Sequence, residues 1–112
     1  MLQRKKSRII NQIDNTKNPQ TLAKWASVND WSIQLAVARN PYTTGETLEK
    51  LSHHEDTLIR YKVAGAINAF PELLDILSND KDWIVRWAVL KNPRTSKKTR
   101  KILLNDEILQ GR

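Results

Sequence analysis

The sequence predicts an all-α protein, an α-solenoid in which about three and a half two-helix repeats of 26 residues stack into a superhelix. Two observations predict it: a twelve-residue phrase recurs at constant spacing, and its apolar residues keep a helical period. The copies are DWSIQLAVARNP from Asp30, DTLIRYKVAGAI from Asp56 and DWIVRWAVLKNP from Asp82. No segment alternates apolar and polar residues convincingly enough to predict a strand.

The period divides the chain, residues 1–112, into the parts of a single helical-repeat domain. An N-terminal cap and half repeat occupy residues 1–29, and the last repeat ends in a basic C-terminal cap. The three full repeats are predicted at 30–55, 56–81 and 82–107.

Each full repeat opens with its longer helix. The aspartate that begins the phrase can accept the backbone N–H groups of the first turn. Asn-Pro ends this helix in two of the three repeats, because proline disfavours the α conformation in the residue before it. Apolar residues four apart form its first face: Ile33 and Val37, Ile59 and Val63, Val85 and Val89.

The second helix of each repeat is predicted to be short or 3-10-like. Pro19 and Pro71 fit its first turn, where a missing N–H costs nothing. Its leucines lie three residues apart, as Leu48 and Leu51 do, and Trp25 shares the Leu51 register, which predicts a core position.

The longer helix also carries a second apolar stripe on its opposite side. A helix that is apolar on two sides suits the interior of a stack, where it contacts its own partner and the next repeat. The stripe consists of Trp31, Leu35 and Ala38 in one repeat and of Trp83, Trp87 and Leu90 in another.

Composition excludes several kinds of site. The chain has no cysteine, which removes disulfides, thiolate zinc sites and iron–sulfur clusters, and we expect no cofactor. It shows neither a signal peptide nor a segment of transmembrane length, so a cytoplasmic protein that does not bind membranes is the default expectation. The net charge of +7 is uneven: +5 in residues 1–39, −4 in 40–82 and +6 in 83–112.

The repeats resemble leucine-rich repeat variant units, which belong to the wider HEAT-like group of helical repeats. The family phrase is similar to V-R-x-x-V-A-x-N-P-x-T-P followed by L-x-x-L. Here VRWAVLKNPRTS from Val85 and IRYKVAGAI from Ile59 carry that likeness, and the leucine pairs follow them. The resemblance covers about residues 17–106 and implies an α-solenoid that supplies a binding surface.

Three positions depart from this pattern. Gln34 replaces the arginine, Ala66-Ile67 replaces Asn-Pro, and Arg100 replaces a leucine, which predicts a solvent-facing cap. Some relatives hold a cysteine-bound iron–sulfur cluster, which a chain without cysteine does not share.

Two interpretations remain open for Arg60 and Arg86, four residues after Asp56 and Asp82. HEAT-like repeats tend to have an Asp–Arg ladder along the stack, and i, i+4 pairs of this kind support helices. Alternatively, the arginines line a binding surface.

The candidate partner-binding patch is Trp83, Arg86, Trp87 and Lys91. Tryptophan and arginine are the residue types that anchor interfaces, provided that these side chains are exposed. If they are buried, the tryptophans only pack one repeat against the next.

The candidate phosphate-binding residues are Arg94, Lys97, Lys98, Arg100 and Lys101. Lys97, Arg100 and Lys101 have the spacing of one helix face, and HEAT-like DNA glycosylases hold DNA on this type of stack. A solvated capping helix has the same composition. Arg4, Lys5, Lys6 and Arg8 leave the same two alternatives at the other end.

Neither a metal site nor an active site is predicted. The adjacent His53 and His54 point about 100° apart on a helix, and no third ligand recurs nearby. No phosphate-binding loop, nucleophile elbow or H-E-x-x-H motif is present. We therefore expect a non-catalytic module that binds another protein, with nucleic acid as the alternative partner and end-to-end self-association as a third possibility.

Overall fold

The computed structural model describes residues 3–111, and this range contains nine α-helices and no strand. The predicted all-α class is therefore confirmed; residues 1, 2 and 112 of the predicted domain lie outside the described range. The helices are α1 (Gln3–Asn15), α2 (Pro19–Ala26), α3 (Trp31–Arg39), α4 (Gly45–Leu51), α5 (Thr57–Ala64), α6 (Pro71–Leu77), α7 (Trp83–Lys91), α8 (Lys97–Leu104) and α9 (Glu107–Gln110).

The longer helices α3, α5 and α7 begin 26 residues apart, as the period predicts. Asp30 caps α3 by accepting from the N–H groups of Ser32 and Ile33, and Asp56 caps α5 through the N–H of Leu58. The prediction is wrong for the Asp82 side chain, which makes no capping hydrogen bond. Its carboxylate is instead bonded to side chains of the preceding repeat.

The shorter helices α2, α4, α6 and α8 are α-helices of seven or eight residues rather than 3-10 turns. Pro19 and Pro71 occupy the first turns of α2 and α6, as predicted. Asn18, Thr44 and Ser96 cap their helices with side-chain oxygens.

The longer helices pack side by side in chain order, α1 on α3, α3 on α5 and α5 on α7. Shorter helices pack against them, and the molecule measures 45 × 23 × 19 Å along its principal axes. One apolar core runs through all repeats. The predicted first face forms its centre, because the following six side chains have no exposed surface: Ile33, Val37, Ile59, Val63, Val85 and Val89.

The second stripe is only partly interior. Ala38 is buried, and Leu35, Trp87 and Leu90 are half-buried against the core, whereas Trp31 is 55% exposed. Trp83 is 37% exposed. Neighbouring helices thus cover the later turns of α3 and α7 and leave the first turn open, so the predicted inter-repeat packing is wrong for Trp31. Trp25 packs against the core but is only half-buried.

The asparagine of each Asn-Pro step joins a repeat to the one before it. The amide of Asn40 donates to the carbonyls of Ile13 and Thr16, at 2.7 and 3.0 Å. Asn92 makes the equivalent bonds to Ala64 and Ala66, at 2.9 and 3.1 Å. These bonds go to carbonyls at the end of the preceding longer helix and in the turn after it.

The middle repeat lacks this asparagine and uses another one. Asn68, two residues beyond Ala66, donates to the carbonyls of Pro41 and Thr43, both at 2.9 Å. The inter-repeat connection therefore survives the loss of Asn-Pro, and α5 ends one residue earlier than α3 and α7 do in their repeats.

Two glycines provide a matched test of this packing. A Cβ on Gly45 would lie 2.8 Å from Phe70 Cδ1 and 2.9 Å from the Asn68 carbonyl, whereas a Cβ on Gly65 meets nothing closer than 3.7 Å. Gly65 has helical dihedral angles. We expect Gly45→Ala to lower the free energy of unfolding by about 1–3 kcal/mol, and Gly65→Ala to raise it by about 0.4–1 kcal/mol. Urea denaturation of the two variants measures both changes, and equal effects would contradict the close approach at Gly45.

Candidate functional site

The recurring arginines form a ladder in which the longer helix of a repeat is bonded to the segment at the end of that repeat. Arg60 is 6% exposed, and its guanidinium donates to Asp80 at 2.9 Å and also to Asp82. It donates in addition to the carbonyls of His54 and Glu55. The i, i+4 pair with Asp56 that the sequence predicts is replaced by pairs with Asp80, near the end of the same repeat, and with Asp82, the first residue of the next.

The same connection recurs at a spacing of 20 residues. Arg86 donates to Asp106 at 2.9 Å, and Gln34 is hydrogen-bonded to His54 at 2.9 Å. Gln34 and His54 thus stand at the positions that the arginine and the aspartate occupy in the other two pairs. Of the two alternatives for the arginines, the structure supports the ladder, and the guanidinium of Arg86 is held there rather than presented to a partner.

Hydrogen bonds, together with neighbouring cations, lower the pKa of Asp30, Asp82 and Asp106. The hydrogen bond from Thr57 comes first in lowering the pKa of Asp82, and the charge of Arg60 adds to it. At Asp106 burial raises the pKa, but hydrogen bonds from Arg86 and from backbone N–H groups outweigh burial and lower it. For Asp30, the Ser32 hydroxyl and then Lys6, whose Nζ lies 3.0 Å away, lower the pKa from 3.8 to about 2.

A groove crosses the later turns of α3, α5 and α7 on the side of the longer helices. Its volume is about 400 Å³. Small residues form much of its lining, aromatic rings and one isoleucine add apolar surface, and three cations stand among them. The lining consists of Ala38, Arg39, Asn40, Pro41, Tyr61, Lys62, Gly65, Ala66, Ile67, Trp87, Ala88, Lys91, Asn92 and Pro93.

The groove opens where the repeat departs from its own pattern. Arg39, Gly65 and Lys91 occupy the same register, 26 residues apart, so a glycine stands where both neighbouring repeats have a long side chain. Gly65 is exposed and caps the C-terminus of α5. The early end of α5 and the absent side chain together leave space between α3 and α7.

Each of the two aromatic rings that line the groove has a lysine ammonium group close to its face. Lys62 Nζ lies 5.6 Å from the centre of the Tyr61 ring, and Lys91 Nζ lies 5.7 Å from that of Trp87. These distances fall within the range of cation–π attraction. Arg39, the third cation, is paired with Asp14 of α1 at 2.8 Å. No Asp or Glu is found among the described residues that line the groove, so its lining is positively charged.

The structure separates the predicted partner-binding patch. Trp87 and Lys91 lie in the groove, whereas Arg86 belongs to the ladder. Trp83 lies at the start of α7, outside the lining of the groove.

The predicted phosphate-binding residues also have different surroundings. Arg94 is exposed, and its guanidinium approaches the Ile67 carbonyl at 3.5 Å. Lys97, Lys98 and Lys101 are exposed on α8. Arg100 is half-buried and donates to the carbonyls of Leu90, Asn92 and Thr95 at the end of α7. The predicted solvent-facing position of Arg100 is thus wrong, because those carbonyls attract its guanidinium.

Sequence reasoning missed Arg39, Tyr61, Lys62 and Gly65. The available signal was the register of the repeat: a glycine in line with Arg39 and Lys91 marks a gap in a row of side chains. The sequence does not show that these three positions line a groove, because a shared register does not distinguish side chains that a neighbouring helix covers from side chains that are exposed.

His54 has a structural role: its Nδ1 accepts from the N–H of Asp56, and its Nε2 contacts Gln34. Across residues 3–111, no group of three or more His, Cys, Asp or Glu side chains is arranged to hold a metal ion. No helix in that range has the length and apolar character needed to cross a membrane. Ile102, Leu104 and Ile108 are exposed near the C-terminal end, where self-association stays a prediction.

Comparisons of the chain with protein-family models, with curated proteins and with solved structures give no significant match. The function is therefore inferred from the chemistry of the groove.

The difference in burial between two ion pairs predicts that breaking them destabilises the protein to different extents. Asp80 and Arg60 have side chains only 8% and 7% exposed, whereas those of Asp14 and Arg39 are 37% and 44% exposed. We expect Asp80→Ala to lower the free energy of unfolding by about 3 kcal/mol, because it removes one partner of the buried charge of Arg60. The control Asp14→Ala should cost less than about 1 kcal/mol, since water screens that pair. Urea denaturation tests this, and equal losses would refute the ladder.

The lowered pKa of Asp30 predicts that part of the protein's stability is lost in acid. Because its pKa is lower in the folded protein, its ionised form stabilises the fold above about pH 4, and this contribution is lost as the pH falls towards 2. Asp30→Asn keeps an N-cap residue but removes the charge. We expect the variant to be less stable than the parent near neutral pH and to approach it in acid. Denaturation midpoints across this pH range measure the difference, and parallel pH profiles would contradict the prediction.

Proposed function

We propose that this protein is a non-catalytic binding module whose groove holds a segment of another protein. The observation that carries the proposal is the groove across α3, α5 and α7, with its small-residue lining, two aromatic rings and three cations. Binding sites of this kind combine a largely apolar concave surface with a few placed polar groups, and volumes of about 300–1,000 Å³ are typical of ligand pockets.

We further propose that the repeats belong to the leucine-rich repeat variant or HEAT-like type and stack as an α-solenoid. The side-by-side packing of α1, α3, α5 and α7 in chain order supports this arrangement. Contacts that recur between adjacent repeats support it too, since Asn68 and Asn92 each donate to carbonyls of the preceding repeat. In such arrays the surface of the stack serves for binding.

The surroundings of the cations favour protein over nucleic acid. Two guanidiniums that a phosphate chain would use are engaged within the chain, Arg86 with Asp106 and Arg100 with three carbonyls. The groove adds apolar contacts from Ala38, Ala66 and Ala88, which suit side chains of a peptide. Lys97, Lys98 and Lys101 are the feature that supports nucleic acid as the alternative.

Gly65 offers a direct test of the groove. A Cβ at this position makes only ordinary van der Waals contacts, at 3.7 Å or more, and Gly65 lines the groove. Gly65→Gln should therefore fold and fill the groove, while Gly65→Ala adds only a methyl group. We expect the wild-type protein and Gly65→Ala to enrich peptides from a displayed library of random dodecapeptides. Gly65→Gln should lose at least about tenfold in affinity for the enriched peptides, roughly 1.4 kcal/mol.

Circular dichroism and urea denaturation provide the folding control for both variants. Equal peptide binding by Gly65→Gln and Gly65→Ala would refute the groove as the binding site. Binding of single-stranded or duplex DNA, with no peptide enriched and affinity falling steeply with salt, would support the alternative instead.

A further inference from the structure

The charges around the groove indicate which peptides it takes, an inference that rests on the proposed function. Arg39 and Lys91 end the longer helices on either side of Gly65, and Lys62 lies between them on α5. The axes of adjacent packed helices are about 8–10 Å apart, so the backbones of α3 at Arg39 and α7 at Lys91, with α5 between them, are about 16–20 Å apart. An extended peptide covers that distance in about six residues.

The structure already shows a carboxylate bound to Arg39, the first of these three cations. Asp14 accepts from Arg39 Nε at 3.1 Å and from Nη2 at 2.8 Å, a two-point contact between carboxylate and guanidinium. Both side chains remain more than a third exposed. Water reaches both groups and screens the pair, and a carboxylate from a partner can replace Asp14 with the same two-point contact to Arg39.

The centre of the groove suits an apolar side chain. Tyr61 and Trp87 occupy the same register on α5 and α7, and both rings are half-buried in the lining. Gly65 follows Tyr61 by one helical turn and adds no side chain to the groove lining there. An aromatic or branched aliphatic side chain inserted here would contact both rings and the methyl groups of the neighbouring alanines.

We infer that the groove binds an extended acidic segment of a partner protein, with an apolar anchor beside Gly65 and carboxylates at Arg39 and Lys91. Charge complementarity is the basis for this occupant: the cations of the lining face no lining carboxylate among the described residues. The carboxylate at Arg39 replaces Asp14. A nucleic-acid strand is disfavoured, since it brings a phosphate at every nucleotide to a lining in which aromatic rings, alanines and prolines separate only three cations.

The variants that test this inference change charge without touching the apolar core. Asp14→Asn frees Arg39 from its internal carboxylate and should raise the affinity for acidic peptides about twofold to fivefold. The double variant Lys62→Ala/Lys91→Ala should lower it at least about tenfold. The matched control Lys24→Ala/Lys50→Ala removes the same charge from exposed positions on α2 and α4, and should change the affinity less than about twofold.

The experiment uses the full chain and a displayed library of random dodecapeptides, followed by fluorescence polarisation with the most enriched peptide and its Glu→Gln and Asp→Asn analogue. We expect the enriched peptides to carry two acidic residues about six positions apart with an apolar residue between them. The neutral analogue should bind at least about tenfold more weakly to the wild-type protein.

The possible failures are distinguishable. Enrichment of neutral or basic peptides that Gly65→Gln still blocks would overturn the acidic ligand and leave the binding function intact. Acidic peptides that are insensitive to both Asp14→Asn and the groove double variant would also overturn it. If no peptide is enriched, whether or not a single-stranded oligonucleotide binds, both this inference and the proposed function fail.

Discussion

Helices of eight or nine residues cannot bury an apolar face without neighbours on both sides, and this constraint governs the molecule. The face of α5 illustrates it, since Ile59 and Val63 have no exposed surface only because α3 and α7 pack alongside. Short helices in water are marginal by themselves, so their stability comes from this packing. Each repeat therefore depends on the next, and the core is continuous along the chain.

Polar contacts then set the relative position of the repeats. Hydrogen bonds depend more strongly on geometry than apolar contacts do. The amide of Asn92 bonds to Ala64 and the guanidinium of Arg60 bonds to Asp82, each in another repeat. Breaking such a bond would leave a buried polar group without a partner, which is costly. Among the described residues, no buried side-chain nitrogen or oxygen lacks a hydrogen bond.

The groove is a local consequence of the same repetition. Where the middle repeat has Gly65 and Ala66, its neighbours have a long cation and an asparagine, so the regular surface is interrupted at one place. Asn68 keeps the repeats joined there, which allows the opening without loss of the connection. The groove thus arises where one repeat departs from its pattern, and the core residues Ala38 and Ala88 and the connecting Asn92 form part of its lining.

The sequence by itself determined the helical class, the period of 26 residues and the buried face, because apolar spacing and N-cap residues are local signals that any stack of helices must satisfy. It did not determine the surroundings of long or amphipathic side chains. Arg60 bonds forward to Asp80 rather than back to Asp56, Arg100 covers the end of α7, and Trp31 is exposed despite its apolar register. Only the tertiary structure decided these contacts and the groove beside Gly65. A flexible side chain can bond to any group within its reach, and the packing, rather than the separation in sequence, determines which groups lie there.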